Sequence, residues 1–383
     1  MSLTTFSPIV HGARDYGELA RLGLDPDDIL DFSANSNPYG PHPAVLQAVR
    51  EAISEATLAR YPDRDCLALR AALAVAENLP IDRLLPGNGA AELIQLIALA
   101  CVAPGSRHLI LAPTFGEYAR AIQLMGGVID EHRPLPRADF RFETEQVFEA
   151  ISRLQPEGVW LCNPNNPTGQ QWSAAELNYL RAADPDRRAW WVIDESYRYF
   201  TASPTPLSGQ APDQASGDDI HKTWAGGPKV IILRSLTKDF ALAGLRLGYI
   251  VASVELVGLL RAIQPPWSVN SLAQIAGIAA LQKDVLAWRQ HSLAELRRQA
   301  QELWAGLSRS GFEVLPSAAP YTLVRVGDAA AFRGRLLGHG LLVRDATSFG
   351  LPGHIRIAAQ RPEANQRLLA TIKSHPHIFN HEL

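Results

Sequence analysis

The chemistry-bearing residues gather around one lysine. Ser235-Leu236-Thr237-Lys238 is followed closely by Ala243-Gly244-Leu245-Arg246-Leu247-Gly248-Tyr249. A lysine amine can bond the aldehyde of a cofactor, and neighbouring hydroxyls and a guanidinium can grip a phosphate on it. A surface lysine after a strand explains this stretch about as well, so the remainder of the chain has to decide. Other groups have suitable character. Asp194-Glu195-Ser196-Tyr197 follows the apolar run Trp190 to Ile193, and Asn163-Pro164-Asn165-Asn166-Pro167-Thr168-Gly169 follows Gly158 to Cys162. Pro86-Gly87-Asn88-Gly89-Ala90 opens a helical pattern with Leu93, Leu96, Ile97 and Ala100 as its stripe. The unpaired N–H groups of a helix start suit a phosphate, and glycines let the anion approach the backbone. A tight turn without ligand accounts for the glycines equally.

The elements that must position these groups alternate in type. Lys229 to Leu233, His108 to Ala112, Gly158 to Cys162, Trp190 to Ile193 and Tyr249 to Ala252 read as strands. Between them lie helical patterns: Tyr16 to Leu22 stopped by Gly23, Pro43 to Ala56, Cys66 to Glu77, one opening at Pro113–Tyr118 and running to Met125, and one capped by Ser173 with Glu176 at capping-box spacing. The alternation predicts an α/β domain with a mostly parallel sheet, in which ligands sit at the C-terminal strand ends. The polar motifs fall there repeatedly. Downstream, Ser271 to Lys283 and Val285 to Ser310 read as helices, the second with Leu293, Leu296, Ala300, Leu303 and Leu307 as its apolar face. Tyr321 to Val326, Leu341 to Arg344 and His354 to Ala358 then read as strands, with helices at Ala330 to Leu337 and Asn365 to Ser374. Three parts are expected: an N-terminal arm (1–45), a large domain (46–270) and a small α+β C-terminal domain (271–383). Ser203 to Pro228, rich in Pro, Gly, Ser and Asp, reads as a long surface loop.

Composition narrows the partners. The chain has 383 residues, 47% hydrophobic and 20% charged, with a formal net charge of -3. No basic block stands out, which argues against nucleic acid and anionic membranes. Cys66, Cys101 and Cys162 are widely spaced, form no metal-binding pattern and suggest a reducing compartment. No signal-like start and no run long enough to span a bilayer are present. A cytoplasmic enzyme of small molecules is the expectation.

Taken together, the Asn163–Gly169, Asp194–Tyr197 and Ser235–Lys238/Arg246 motifs resemble, in order and over essentially the whole chain, the fold-type I aminotransferase superfamily. The resemblance implies a large domain with a mostly parallel seven-stranded sheet between helices, plus a small α+β domain. It implies pyridoxal 5'-phosphate as cofactor, no metal, and a homodimer with shared active sites. Lys238 would bond the cofactor and shuttle the proton, and Asp194 would pair with the pyridine nitrogen. Asn166 and Tyr197 would contact the ring hydroxyl, and Phe115 would stack on the ring. Asn88, Gly89, Ala90, Ser235, Thr237 and Arg246 would hold the phosphate, with Tyr61 reaching it from the neighbouring subunit. Arg356 resembles the carboxylate-binding arginine.

Two families share this frame. His11-Gly12, Leu30 to Pro38, Arg60-Tyr61-Pro62-Asp63, Pro266 to Asn270 and Ala358-Ala359-Gln360 look like L-threonine-O-3-phosphate decarboxylase. That family is a lyase supplying (R)-1-amino-2-propanol O-2-phosphate to cobalamin biosynthesis, and decarboxylation is therefore the expected reaction. The substrate would be a small phosphorylated amino acid, with His11, Gly12, Asn35 and Asn166 beside it, Arg344 at its phosphate and Arg356 at its carboxylate. The alternative is an aminotransferase of the histidinol-phosphate type, which Tyr197 suits at least as well. The bond held perpendicular to the cofactor ring breaks, so substrate placement decides between loss of CO2 and removal of the Cα proton by Lys238. The arm reads His11-Gly12-Ala13 where the decarboxylase family has His-Gly-Gly. A positive φ at the third position would strain Ala13. A non-catalytic regulator on the same fold is the reading from another class, and the presence of Lys238, Asp194 and Arg356 speaks against it.

Overall fold

The computed structural model describes residues 10–134, 139–202, 224 and 227–376. In chain order its strands are β1 (Leu30–Asp31), β2 (Leu84–Gly87), β3 (Arg107–Leu111), β4 (Val128–His132), β5 (Gly158–Cys162), β6 (Trp190–Asp194), β7 (Val230–Ser235), β8 (Gly248–Val251), β9 (Tyr321–Arg325), β10 (Leu341–Leu342), β11 (Arg344–Asp345) and β12 (His354–Ala358). Seven form one sheet in the order β2-β8-β7-β6-β5-β3-β4. β8 runs antiparallel to both neighbours and the other pairs are parallel. The central strands β5, β6 and β7 are near-continuous apolar runs, buried almost throughout. Strands covered by helices on both faces need that composition. One face packs on Leu93, Ile97 and Tyr118, and the other on Val45, Leu69, Leu73 and Ala273. The expected mostly parallel seven-stranded sheet is thus present.

The two strands that apolar runs do not reveal, β2 and β4, are the edges of this sheet. β2 contains Pro86, which an edge tolerates because no donor is needed on the open side. β4 is only partly buried and carries Asp130 and Glu131. The helices Thr144–Leu154 and Val254–Ile263 are likewise additions to the expected set. The helix expected over Pro43 to Ala56 ends at Ala52; Ser54 caps a separate short turn by accepting from Thr57 N at 3.2 Å.

Strands β11, β12 and β9 form an antiparallel sheet in the small domain. The N-terminal arm completes this domain: β1 pairs in parallel with β10, and Phe32 bridges the two sheets, donating to Leu342 O and accepting from Ala358 N, each at 2.8 Å. Leu19 of the helix Tyr16–Leu22 packs with Ile29, Leu337 and Leu342. The arm then crosses to the large domain, where Asn37 N donates to Lys238 O at 2.8 Å and Asn37 Nδ2 to Asp239 O at 3.0 Å.

A boundary at residue 270 separates the helix Ser271–Ala280 from what it packs on. Ala273, Ala276 and Ala280 belong to the large-domain core beside Leu69 and Leu73. We therefore place the boundary inside the long helix Lys283–Arg309, whose Val285 joins that core while Leu293 to Leu307 pack elsewhere. The stretch Ser203 to Pro228 lies almost entirely outside the described residues.

The loop after β5 docks directly on the small domain. Ala318 N donates to Gly169 O at 3.0 Å, and Gln170 Nε2 to Pro316 O at 3.2 Å. Gly169 has φ +69, and a Cβ there would lie 1.8 Å from Ser317 Oγ. Gly169→Ala combines left-handed strain with overlap, so it is expected to lower stability by about 2–4 kcal/mol. Urea unfolding measures this, and an unchanged midpoint would show that the contact yields freely.

Candidate active site

Five chain segments bring side chains to one cavity, one of them the stretch after β3 that carries Phe115 and Tyr118. β6 ends on Asp194, β7 ends on Ser235 with Thr237 and Lys238 just beyond, β5 leads to Asn166, and β2 leads to the helix Gly89–Cys101. Ala90, Phe115, Asn166, Asp194, Tyr197, Ser235, Thr237, Lys238 and Arg246 all line this cavity, so most of the residues expected from sequence are brought together.

At one end is an anion cradle. Gly89 has φ +78, and a Cβ there would lie 2.6 Å from an Arg246 guanidinium nitrogen. The helix start at Gly89 and Ala90 has no side-chain cap. Ser235 Oγ and Thr237 Oγ1 lie 2.7 Å apart across from it. Helix N–H groups, two hydroxyls and a guanidinium around a position that excludes Cβ could hold a phosphate. At the other end, Asp194 is buried, with Tyr118 OH donating to Oδ2 at 2.6 Å and Ser196 N to Oδ1 at 2.8 Å. Burial pushes its carboxyl above the ordinary value, which the hydrogen bonds and the Lys238 charge counteract. A cationic ring nitrogen would satisfy that carboxylate. Phe115 offers an aromatic face beside it, its ring 5.8 Å from and nearly perpendicular to that of Tyr118. These residues fit a phosphorylated pyridine aldehyde.

Lys238 has two guanidinium groups and the Asp194 carboxylate around it. Burial, with Arg246 and Arg356 nearby, brings its amine down to about 8. Asn163 and Asn165 tie the loop together: Asn163 bonds Trp172 through both amide atoms, and Asn165 bonds Pro113 O, Thr114 and Thr168. Asn166 faces the cavity and accepts from Arg356 Nη1. Arg356 is 4% exposed, and its Nη2 donates to Ser33 O while its Nε is without a partner. Burial pushes its guanidinium below its ordinary value.

The remaining expected residues do not line this cavity, although His11 rests against Phe115 at its rim and Asn35 meets Tyr197. Arg344, in register with Arg356 across the β11–β12 pair, donates to His11 O at 3.0 Å and to Val10 O and Ser348 Oγ at 2.6 Å each. It therefore clamps the arm. Burial and Arg356 bring it down to about 10. His11 and Arg344 flank a separate cavity of about 610 Å³, and Asn35 is buried in the arm. His11, Asn35 and Arg344 do not line the Lys238 cavity. Gly12 packs so closely that a Cβ would meet Ser33 O at 2.5 Å. Tyr61 is 77% exposed and stacks on Trp267 at 4.4 Å. Sequence reasoning missed Tyr118, Cys162 and Ser196, which also line the cavity. Tyr118 lies one helical turn from Phe115, a spacing that places both on one face and could have revealed it.

The anticipated strain at Ala13 is present: its φ is 83, and its N donates to Ser33 Oγ at 2.8 Å. Ala13→Gly is expected to raise stability by about 0.5–1 kcal/mol, the relief of left-handed strain exceeding the added freedom of the unfolded chain. A lowered urea midpoint would contradict this.

Residues 27–372 match the family model described as aminotransferase class I and II. The chain is 34% identical over 355 residues to a histidinol-phosphate aminotransferase of Symbiobacterium thermophilum, covering 92% of this chain and 91% of that one. It is similar to the crystal structure of histidinol-phosphate aminotransferase from Sinorhizobium meliloti in complex with pyridoxal-5'-phosphate, with TM-score 0.82, 23% identity and 99% and 95% of the two chains covered. Similarity to the L-threonine-O-3-phosphate decarboxylase of Porphyromonas gingivalis has TM-score 0.75 and 27% identity, covering 90% and 99%. The expectation of a lyase that decarboxylates threonine phosphate for cobalamin synthesis is thereby overturned, since the broad curated similarity is to an aminotransferase. The physical reason for the misreading lies in the arm. His11 of the arm pairs with Glu117, and Arg344 of β11 holds the backbone of Val10 and His11, so both are engaged in fixing the arm.

Proposed function

This chain belongs to the aminotransferase class I and II family, whose expected cofactor is pyridoxal phosphate, and from that premise we propose that it moves the amino group of a phosphorylated amino alcohol of the histidinol-phosphate type to a 2-oxo acid. The observation carrying this reading is the buried cation Arg356, hydrogen-bonded to the cavity-lining Asn166 and near enough for its charge to help lower the Lys238 amine. A base beside an anion anchor is what removal of a Cα proton from an anionic substrate needs.

When bound, the cofactor supplies an electrophilic carbonyl and a ring that accepts electrons from Cα. The chain does the rest. Asn88, Gly89, Ala90, Ser235, Thr237 and Arg246 hold the phosphate. Asp194 keeps the ring nitrogen protonated, with Tyr118 and the Ser196 N–H fixing the carboxylate. Asn166 and Tyr197 serve the ring hydroxyl, and Phe115 covers the ring face. Lys238 would bond the carbonyl of the cofactor and, as a neutral amine, would serve as the base that moves the Cα proton. Arg356 anchors the donor's phosphate and, in the return half, the carboxylate of the oxo acid. In the proposed homodimer, the exposed Tyr61 reaches the partner's phosphate site.

The test is incubation with histidinol phosphate and 2-oxoglutarate. Glutamate and the matching oxo product should form in equal amounts, without CO2. Absence of glutamate, or CO2 release from L-threonine phosphate without an acceptor, would sink the reading.

A further inference from the structure

Glu117 is the first residue of the helix Glu117–Leu124, close after the ring-covering Phe115. Its side chain is 9% exposed, and its Oε1 lies 2.9 Å from Nε2 of His11, whose side chain is 47% exposed. The His11 ring also lies 5.7 Å from the Phe115 ring, tilted by 47°. An imidazole therefore rests against an aromatic ring and a buried carboxylate at the edge of the Lys238 cavity, which Phe115 lines. The partners are unequal. Glu117 is fixed by burial in the large domain, whereas His11 belongs to the arm and is half exposed.

We propose that Glu117 is a specificity-determining residue that recognises an imidazole N–H of the substrate side chain, and that His11 of the arm competes for the same carboxylate. This rests on the amino-transfer reading above and names the side chain that site takes. A buried carboxylate needs a donor. When the arm lifts for substrate entry, Glu117 loses His11, and an arriving imidazole restores the hydrogen bond while meeting the same Phe115 ring. The anionic end of such a substrate belongs at Arg356, so the molecule has a cationic pole for its phosphate and a carboxylate pole for its ring. An aliphatic side chain of similar size leaves the Glu117 carboxylate unpaired, and a site built for a donor discriminates against a substrate lacking one.

The experiment uses the holoenzyme and two amino donors: histidinol phosphate and the corresponding phosphate ester of leucinol, which has the same head group and an apolar side chain. In Glu117→Ala, the ratio of kcat/KM for the imidazole donor to that for the aliphatic donor should fall roughly 10- to 100-fold, mainly through KM. Glu117→Gln retains an acceptor and should show a smaller fall in that ratio, at a thermal midpoint close to that of the natural protein. Equal losses with both donors would assign Glu117 a structural role and overturn this inference alone, as would an unchanged ratio. Failure of the natural protein to use histidinol phosphate would remove the functional reading and this inference with it.

Discussion

Lys238→Ala is expected to lose amino transfer by roughly 10⁴-fold or more and to lose the absorbance at roughly 410–430 nm that marks a lysine-bonded cofactor. Two roles disappear together, the covalent anchor and the base at Cα, so the effect exceeds that of removing a single hydrogen bond. Retained absorbance would rule out Lys238 as the anchor. The same side chain predicts a pH dependence. Burial, Arg246 and Arg356 disfavour the ammonium and bring it to about 8. The neutral amine is the form that bonds a carbonyl, so uptake of cofactor by the apoprotein should accelerate as pH rises through about 8. Stopped-flow absorbance measures this, and a flat profile between about pH 7 and 9 would contradict the assignment. The sign for stability agrees. An unfolded chain holds this proton up to about 10.5, so between about 8 and 10.5 the unfolded state binds more protons, and the contribution of Lys238 to stability rises with pH.

Arg356→Ala is expected to lower kcat/KM roughly 10²- to 10³-fold for the amino donor and the oxo acid alike. The guanidinium is held on both sides, by Asn166 Oδ1 and Ser33 O, within β12. Its planar fork is set before substrate arrives, which limits the ordering cost of binding. Removal takes away the anion anchor and leaves two buried acceptors without their donor. Arg356→Lys restores charge but not the fork, so it should recover only part of the loss. A rise in KM for one substrate only would show that Arg356 serves a single half of the reaction. Full activity in the alanine protein would exclude it from the site.

The residues read most directly from sequence are those that follow buried strands. Asp194 and Lys238 each come after an apolar run, where a polar residue has few structural reasons to be. Tyr118 escapes because its partner, Asp194, is far along the chain, and only the stacking of β3 beside β5 and β6 joins them. The asparagines of the loop after β5 look equivalent in sequence. Local hydrogen bonds engage Asn163 and Asn165 and leave Asn166 to the cavity. Arg344 and Arg356 are likewise indistinguishable by type. They sit opposite each other on adjacent strands, and the arm engages one of them while Asn166 and Ser33 engage the other. Edge strands β2 and β4 stay hidden because an edge needs neither continuous apolar sequence nor every donor. The choice of reaction is hidden for a related reason, since the arm motifs encode how the arm is anchored rather than which bond breaks.

The arm's crossing from Phe32 to Asn37 fixes when this protein can finish assembling. The backbone partners of residues 30 to 37 are Gly340, Leu342, Ala358 and Lys238. A segment synthesised early therefore waits for partners synthesised far later. During synthesis the large sheet can close around Asp194 and Lys238 and receive Asn37, while Leu30 and Phe32 have nothing to pair with, and those long-range contacts come late and slowly. A nascent chain halted before residue 340 would carry every residue that lines the Lys238 cavity but neither Arg356 nor the strand partner of the arm. Completion of the small domain is the event that brings Arg356 to Asn166 at that cavity.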